Sequence, residues 1–168
     1  AGALFVCVAG SLDDGHKYAL SAYEKNCRIF ICQSELSLPD DAVIIVTENS
    51  REALATVSAN FFSRPAEKLT VIGITGTKGK TTTSLLIYNV LNANGLKAGY
   101  IGSNGVDFDG AHYSTVNTTP ESHDIQDYMS RMVCAGVKVL VMEVSSQALL
   151  LSRVHGIKFS ICVFTNLY

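Results

Sequence analysis

Apolar positions along this chain gather into short runs separated by longer stretches of helical spacing. The runs are LFVCVA (4–9), RIFIC (28–32), AVIIV (42–46), LTVIGI (69–74), KAGYIG (97–102), KVLVMEV (138–144) and FSICVF (159–164). They are rich in β-branched and aromatic residues, which suit a pleated strand. Between them, residues 16–26, 50–63, 80–94 and 121–135 read as helices. Alternating strands and helices predict βαβ units, hence an α/β fold with a mostly parallel sheet. Near-continuous apolar strands such as VLVM (139–142) fit a sheet buried on both faces. Residues 103–119 are rich in Gly, Asn and Thr and predict a loop with a hairpin turning at Asp109-Gly110.

The segment SRPAEK (63–68) is polar, contains Pro65 and follows a helical stretch ending in Phe61 and Phe62. It predicts a small N-terminal α/β lobe over residues 1–66 and a second α/β domain over 67–168. The chain has 168 residues, room for two small domains. Its 48% hydrophobic and 17% charged content predicts a packed core rather than disorder. A formal net charge of −2 speaks against a nucleic-acid binder, which needs cations to neutralise phosphates. A small phosphorylated ligand needs only a local site and is not excluded.

The five cysteines show neither zinc-ligand spacing nor an even count. Cys7, Cys32 and Cys162 lie in apolar runs, so buried free thiols in a reducing cytoplasm are expected. The first ten residues are apolar but lack a basic flank, and read as a strand rather than a signal peptide. No run approaches the roughly 18 apolar residues that cross a bilayer. His16, His112, His123 and His155 are scattered, and surface or capping roles are expected for them.

The most informative segment is VIGITGTKGKTTTSLL (71–86). An apolar strand ends at Ile74, a glycine-rich loop follows, and a helix-compatible stretch begins. Such a loop turns successive N–H groups inward, and the new helix adds its own unpaired N–H groups and positive dipole end. Lys80 then supplies a charge for β- and γ-phosphates, and Thr81 a hydroxyl for Mg²⁺. The match to G-x-x-x-x-G-K-[ST] is incomplete, because Ile74 stands where the first glycine belongs and Gly76 lies inside the loop. A glycine-rich turn with no ligand is the plain alternative.

The segment TGTKGKTT (75–82) resembles the variant phosphate loop of the Mur ligases. LFVCVAGSLDDGHKYALSA (4–22), NTTPES (117–122), MEVSSQALLLSRV (142–154) and FTNL (164–167) resemble further segments of that family, in the family's order. The likeness is to the branch that adds the third residue of the cell-wall peptide. It implies a cytoplasmic ATP- and Mg²⁺-dependent ligase of peptidoglycan synthesis. The D-Glu carboxylate of UDP-N-acetylmuramoyl-L-alanyl-D-glutamate would attack the γ-phosphate of ATP. The amine of meso-diaminopimelate or L-lysine would then displace phosphate from the acyl phosphate. Two anions must approach, so cations must lie between them.

Carried over residue by residue, the resemblance implies ATP binding by Gly76, Thr77, Lys78, Gly79, Lys80, Thr81 and Thr82. It implies catalytic roles for Lys80 and Glu143 and metal binding by Thr81 and Glu143. Glu143 follows VLVM at the end of a strand, where open α/β sheets place ligands; a solvated acid is the alternative. Substrate contacts are implied for Ser11, Leu12, Asp13, Asn117, Thr118, Thr119, Ser145 and Arg153. Local structure offers other reasons for several of these. SLDDG (11–15) reads equally as a surface turn, Thr119-Pro120 as a helix N-cap and first residue, and Arg153 as a charge closing a short helix.

Lys78 stands where many family members carry Asn, and Leu151 where a substrate-contacting Gln is common. The resemblance also places a carbamylated lysine and an amino-acid-binding domain beyond Tyr168, and one further strand before the first. The expectation is therefore a truncated central domain, inactive as an isolated piece, with an open sheet edge that favours self-association. A folylpolyglutamate or cyanophycin-type ligase shares the phosphate loop and is one rival. A nucleotide-binding module without catalysis is the other.

Overall fold

A computed structural model describes residues 2–10 and 13–168. The chain divides into two compact units, Ala1–Leu54 and Ala55–Tyr168. In the first, β1 (Leu4–Val6), β2 (Ile29–Cys32) and β3 (Val43–Val46) form a parallel sheet in that order. A 3₁₀ turn at Gly15–Tyr18 leads into α1 (Ala19–Glu24), which connects β1 to β2. Its core is small: Cys7, Ala19, Cys27, Phe30 and Cys32 are buried together. The helix α2 (Ser50–Phe61) carries the chain across the division.

The second unit opens with a 3₁₀ turn at Pro65–Lys68 and then β4 (Thr70–Thr75). Helix α3 (Lys80–Ala93) returns the chain to β5 (Ala98–Gly102). Two tight hairpins follow, joining β5 to β6 (Gly105–Phe108) and β6 to β7 (Ala111–Tyr113), both antiparallel. The second turns at Asp109-Gly110, where both φ angles are positive (53° and 78°), the mirror-image turn that matches strand twist. Helix α4 (Ser122–Cys134) leads to β8 (Val139–Glu143), a five-residue helix α5 (Ser146–Leu150) and β9 (Ile161–Phe164). The sheet order is β7-β6-β5-β8-β4-β9, with β5, β8, β4 and β9 parallel.

Both sheet faces are covered in the middle of the sheet. On one face, Ile125, Met129 and Met132 of α4 pack with Val71, Leu140 and Met142. Their i, i+4, i+7 spacing makes one apolar stripe. On the other, Ile87, Tyr88 and Leu91 of α3 pack against Ile72, Ile74 and Val141. Among the described residues, no helix is long and apolar enough to cross a membrane.

One expectation about buried side chains fails. Cys162 is exposed, on a strand that among the described residues pairs with β4 alone. Cys134, at the end of α4, is exposed as well, whereas Cys7, Cys27 and Cys32 are buried. His16 takes the capping role: it is half-buried, and its ring joins the Asp14 carboxylate (2.6 Å) to the Gln33 N–H (3.0 Å).

Candidate active site

Strand register places the polar groups of the second unit. β4 and β8 run parallel with Ile74 opposite Glu143, so the acid stands beside the point where the phosphate loop departs. Ile74 is fully buried in the strand, and the sharp backbone change comes at Gly76, whose φ is +136°. A side chain there would meet the Thr165 hydroxyl at 2.2 Å, so Gly76 serves as the bend glycine in place of the missing earlier one. Gly79 adopts a left-handed conformation (φ 81°) as the N-cap of α3.

The loop does not turn all its N–H groups inward, as its sequence suggested. The Thr77 N–H donates to the Asn166 carbonyl (3.0 Å) and the Lys78 N–H to Asn166 Oδ1 (2.9 Å). The N–H groups of Lys80, Thr81 and Thr82 open the helix, where no intrahelical acceptor exists for them, and remain the anion-facing set. Lys80 Nζ curls over the loop to the Gly76 carbonyl (2.7 Å). Lys78 points elsewhere, its ammonium 5.7 Å from the centre of the Tyr168 ring.

Glu143 is not a solvated acid. It is completely buried, and four donors converge on its carboxylate. Oε1 accepts from the Tyr100 hydroxyl (2.6 Å) and the Ser103 N–H (3.1 Å). Oε2 accepts from the Thr81 hydroxyl (3.0 Å) and the Ser103 hydroxyl (3.3 Å). A buried carboxylate needs such donors, because desolvation without them is costly. Burial, and then the bond to Glu143, hold the Tyr100 phenol well above the ordinary tyrosine range. Gly102 makes room for the cluster: a Cβ there would stand 2.1 Å from the Tyr100 hydroxyl and 2.2 Å from Glu143 Oε1.

Tyr100 and Ser103 carry no local motif, and reading the sequence missed both. Strand spacing offers one signal, since Tyr100 is a polar-tipped residue on a strand otherwise made of Ala, Gly and Ile. Only the pairing of β5 with β8 brings it to Glu143.

Residues 117–119 split in two. Asn117 is exposed and lines a cleft of about 370 Å³ with Glu121, Asp124 and Tyr128. The Thr118 hydroxyl lies 3.0 Å from the Ser103 hydroxyl, one step from Glu143. Thr119 is fully buried; its hydroxyl donates to the Glu143 main-chain carbonyl (2.9 Å) and accepts from the Ser145 N–H (3.1 Å). It is not a helix cap, for Glu121 is the N-cap residue of α4. Ser145 caps α5 through its hydroxyl, which accepts from the Ala148 N–H (3.1 Å).

Arg153 lies beyond the end of α5 and is buried, donating to the Thr119 carbonyl (3.1 Å) and pairing with Glu121 (2.8 Å). In the first unit, Asp13 is exposed and bonded to the Tyr18 hydroxyl. That bond holds its carboxyl below the usual range. Ser11 and Leu12 lie outside the described residues.

Comparison with known proteins follows the same lines. The model of the Mur ligase middle domain matches residues 74–168. A UDP-N-acetylmuramoyl-L-alanyl-D-glutamate–2,6-diaminopimelate ligase from Clostridium perfringens is 43% identical over 166 residues, 99% of this chain and 34% of its own length. The enzyme of the same name from Chlorobium phaeobacteroides is 44% identical over 168 residues, covering 99% of this chain and 33% of its own. The chain thus spans about a third of the length of the curated relatives it matches. A solved structure of a ligase with that name superposes with a TM-score of 0.86 at 23% identity, over 99% of this chain and 34% of its own. The MurF ligase of Thermotoga maritima in complex with ADP gives a TM-score of 0.55 at 23% identity, over 86% of this chain and 29% of its own. Both superpositions show a shared fold.

Proposed function

The chain belongs to the Mur ligase family, and from that premise we propose that it binds ATP for a ligase extending a cell-wall precursor peptide. The substrate would be UDP-N-acetylmuramoyl-L-alanyl-D-glutamate. The amine would be meso-diaminopimelate rather than L-lysine, a reading supported by the names of its relatives. One observation carries the proposal: the buried Glu143 carboxylate presents Oε2 to the Thr81 hydroxyl at the mouth of a phosphate loop.

The chemistry needs positive charge where the D-Glu carboxylate meets the γ-phosphate. Lys80 and the first N–H groups of α3 provide it from one side. Thr81 and Glu143 would hold Mg²⁺. A hydroxyl and a carboxylate are the hard oxygen donors that ion prefers, and two protein ligands leave the rest of its shell to water and phosphate. When bound, Mg²⁺ neutralises phosphate charge. The carboxylate oxygen bonds to phosphorus and ADP leaves. The amine then bonds to the acyl carbon, phosphate leaves and the nitrogen loses a proton.

Residues 67–168 would serve ATP, and residues 1–66 the UDP-sugar through Ser11, Leu12 and Asp13. Asn117 and Thr118 keep polar groups at or near the surface, which supports direct substrate contact. Thr119 and Ser145 bond to one another and Thr119 to the Glu143 main chain, and Arg153 bonds to the Thr119 carbonyl and pairs with Glu121, which supports a framing role beside any contact they make. A cytoplasmic setting belongs to the same reading, because the reaction would consume ATP.

The test is incubation of the ligase carrying this sequence with ATP, Mg²⁺, UDP-N-acetylmuramoyl dipeptide and either diamino acid, read by mass spectrometry. ADP and tripeptide are expected with meso-diaminopimelate. Failure to form either tripeptide removes the proposal. The 168 residues alone, a third of a relative's length, are expected to form none.

A further inference from the structure

The phosphate loop is held from the side by the chain just after β9. Because β4 and β9 are parallel with Thr75 opposite Phe164, the next residues, Thr165 and Asn166, run beside Gly76, Thr77 and Lys78. The Asn166 side-chain amide bonds both ends of one loop residue. Its Oδ1 accepts from the Lys78 N–H (2.9 Å) and its Nδ2 donates to the Lys78 carbonyl (3.1 Å). The Asn166 main-chain carbonyl takes the Thr77 N–H (3.0 Å), and the Thr165 hydroxyl donates to the Lys78 carbonyl (2.7 Å). The Thr165 N–H continues the strand ladder to the Thr75 carbonyl (2.9 Å).

This is the arrangement of an added strand, completed by a side chain where the backbone ladder stops. Only an amide both donates and accepts at this reach; aspartate cannot donate, and alanine does neither. These bonds hold Thr77 and Lys78, whose N–H groups go to Asn166 rather than to the anion-facing helix end. Gly76 is required by the same contact, since a Cβ there would also stand 2.9 Å from the Asn166 carbonyl.

We propose that Asn166, seconded by the Thr165 hydroxyl, is a positioning residue for the nucleotide phosphates. It acts through Lys78 to keep the phosphate loop formed before ATP arrives. Ordering a loop before binding removes that cost from the binding step. The inference rests on the loop being the ATP-phosphate site.

The experiment titrates MgATP and, separately, tripolyphosphate into the unsubstituted protein, Asn166→Ala, Thr165→Val and Thr165→Ser. Amide hydrogen exchange at Thr77 and Lys78 is measured without nucleotide. Asn166→Ala is expected to weaken MgATP about tenfold, the scale of one lost hydrogen bond of ordinary strength. The two amides should exchange at least about tenfold faster, as local opening becomes easier. Thr165→Val should weaken MgATP by a smaller factor and Thr165→Ser should restore it, at unchanged melting temperature. If Asn166→Ala does not fold, the Thr165 pair and the amide exchange of the unsubstituted protein decide. Unchanged affinity and exchange in Asn166→Ala, or equal affinity in the two Thr165 variants, overturns the inference while leaving the loop as the ATP site. Absence of MgATP and tripolyphosphate binding by the unsubstituted protein overturns the ATP-site reading, and this inference with it.

Discussion

The phosphate loop and the Asn117–Thr119 segment both reach Glu143, but they meet different parts of it. Thr81, at the start of α3, donates to the carboxylate. Thr119 donates to the main-chain carbonyl of the same residue, and its neighbour Thr118 approaches only through the Ser103 hydroxyl. Oε2 of the carboxylate is met by two hydroxyls, those of Thr81 and Ser103, which can turn to other partners when a ligand arrives, whereas Oε1 is held by the Tyr100 hydroxyl and the Ser103 N–H. The backbone beneath it is pinned by a buried threonine with no freedom left. One corner is built for exchange of partners and the other for permanence, and the difference lies in whether a hydroxyl faces a side chain or a strand end.

Glu143 gives the largest expected effect, because it belongs to both corners. In Glu143→Gln the amide oxygen can replace Oε1, keeping the Tyr100 hydroxyl and the Ser103 N–H bonded. The NH₂ group then faces two hydroxyls that can turn to accept. Folding should therefore survive, while turnover of the ligase falls at least about 100-fold, the scale of losing one charge-stabilising group. Glu143→Leu removes the acceptor altogether. The wholly buried Tyr100 hydroxyl then has lost the acceptor for its proton, at a cost of about 1–3 kcal/mol. Denaturant titration should separate the two variants; equal stabilities would mean that the four bonds do not hold the site together.

That prediction depends on a cluster only half visible in the sequence. The strand, glycine loop and helix over 69–94 are legible because the signals are local: an apolar run, then glycines, then helical spacing. Glu143 is legible too, as an acid ending an apolar strand. Tyr100 and Ser103 are separated from Glu143 by 43 and 40 residues, and their approach depends on β5 lying next to β8. Nothing within either segment specifies that neighbour. The same holds for Asn166, which is 88 residues from Lys78 and reaches it through the pairing of β4 with β9. The exposure of Cys162 fails to appear in the pattern for the opposite reason. ICVF reads as a buried strand, and among the described residues it pairs with β4 alone.

Within the exchangeable corner, the two loop lysines differ. Lys80 opens the helix and already lies against the loop carbonyls, so it can shift to phosphate over a short distance. Lys78 extends toward the Tyr168 ring. Lys80→Ala should weaken MgATP by about 1.5–3 kcal/mol, the worth of a charge-assisted bond to an ionised group. Lys78→Ala should change it little, since the main-chain groups of Lys78, rather than its amine, are the bonded ones. Calorimetric titration of both variants measures the contrast. Equal losses would place both ammonium groups on the phosphates and collapse the distinction.

The smallest effect lies in the permanent corner and tests the comparison most directly, because it turns on two adjacent threonines. Thr119→Val keeps shape and volume but removes a buried hydroxyl. The Glu143 carbonyl then loses a donor and the Ser145 N–H an acceptor. The expected cost is about 1–3 kcal/mol of folding stability, the range for a buried polar group left unpaired. Thr118→Val removes a hydroxyl that is only partly buried and whose partner, Ser103, retains its bond to Glu143. Solvent can replace it, so stability should change by no more than about 0.5 kcal/mol. In the ligase the order should reverse for substrate: Thr118→Val should raise KM for the UDP-linked dipeptide with ATP KM unchanged, because its hydroxyl is the one near open space. Denaturant titration gives the first contrast and steady-state kinetics the second. If Thr118→Val destabilises the fold as much as Thr119→Val, the segment is framework throughout, and its substrate role rests on Asn117 alone.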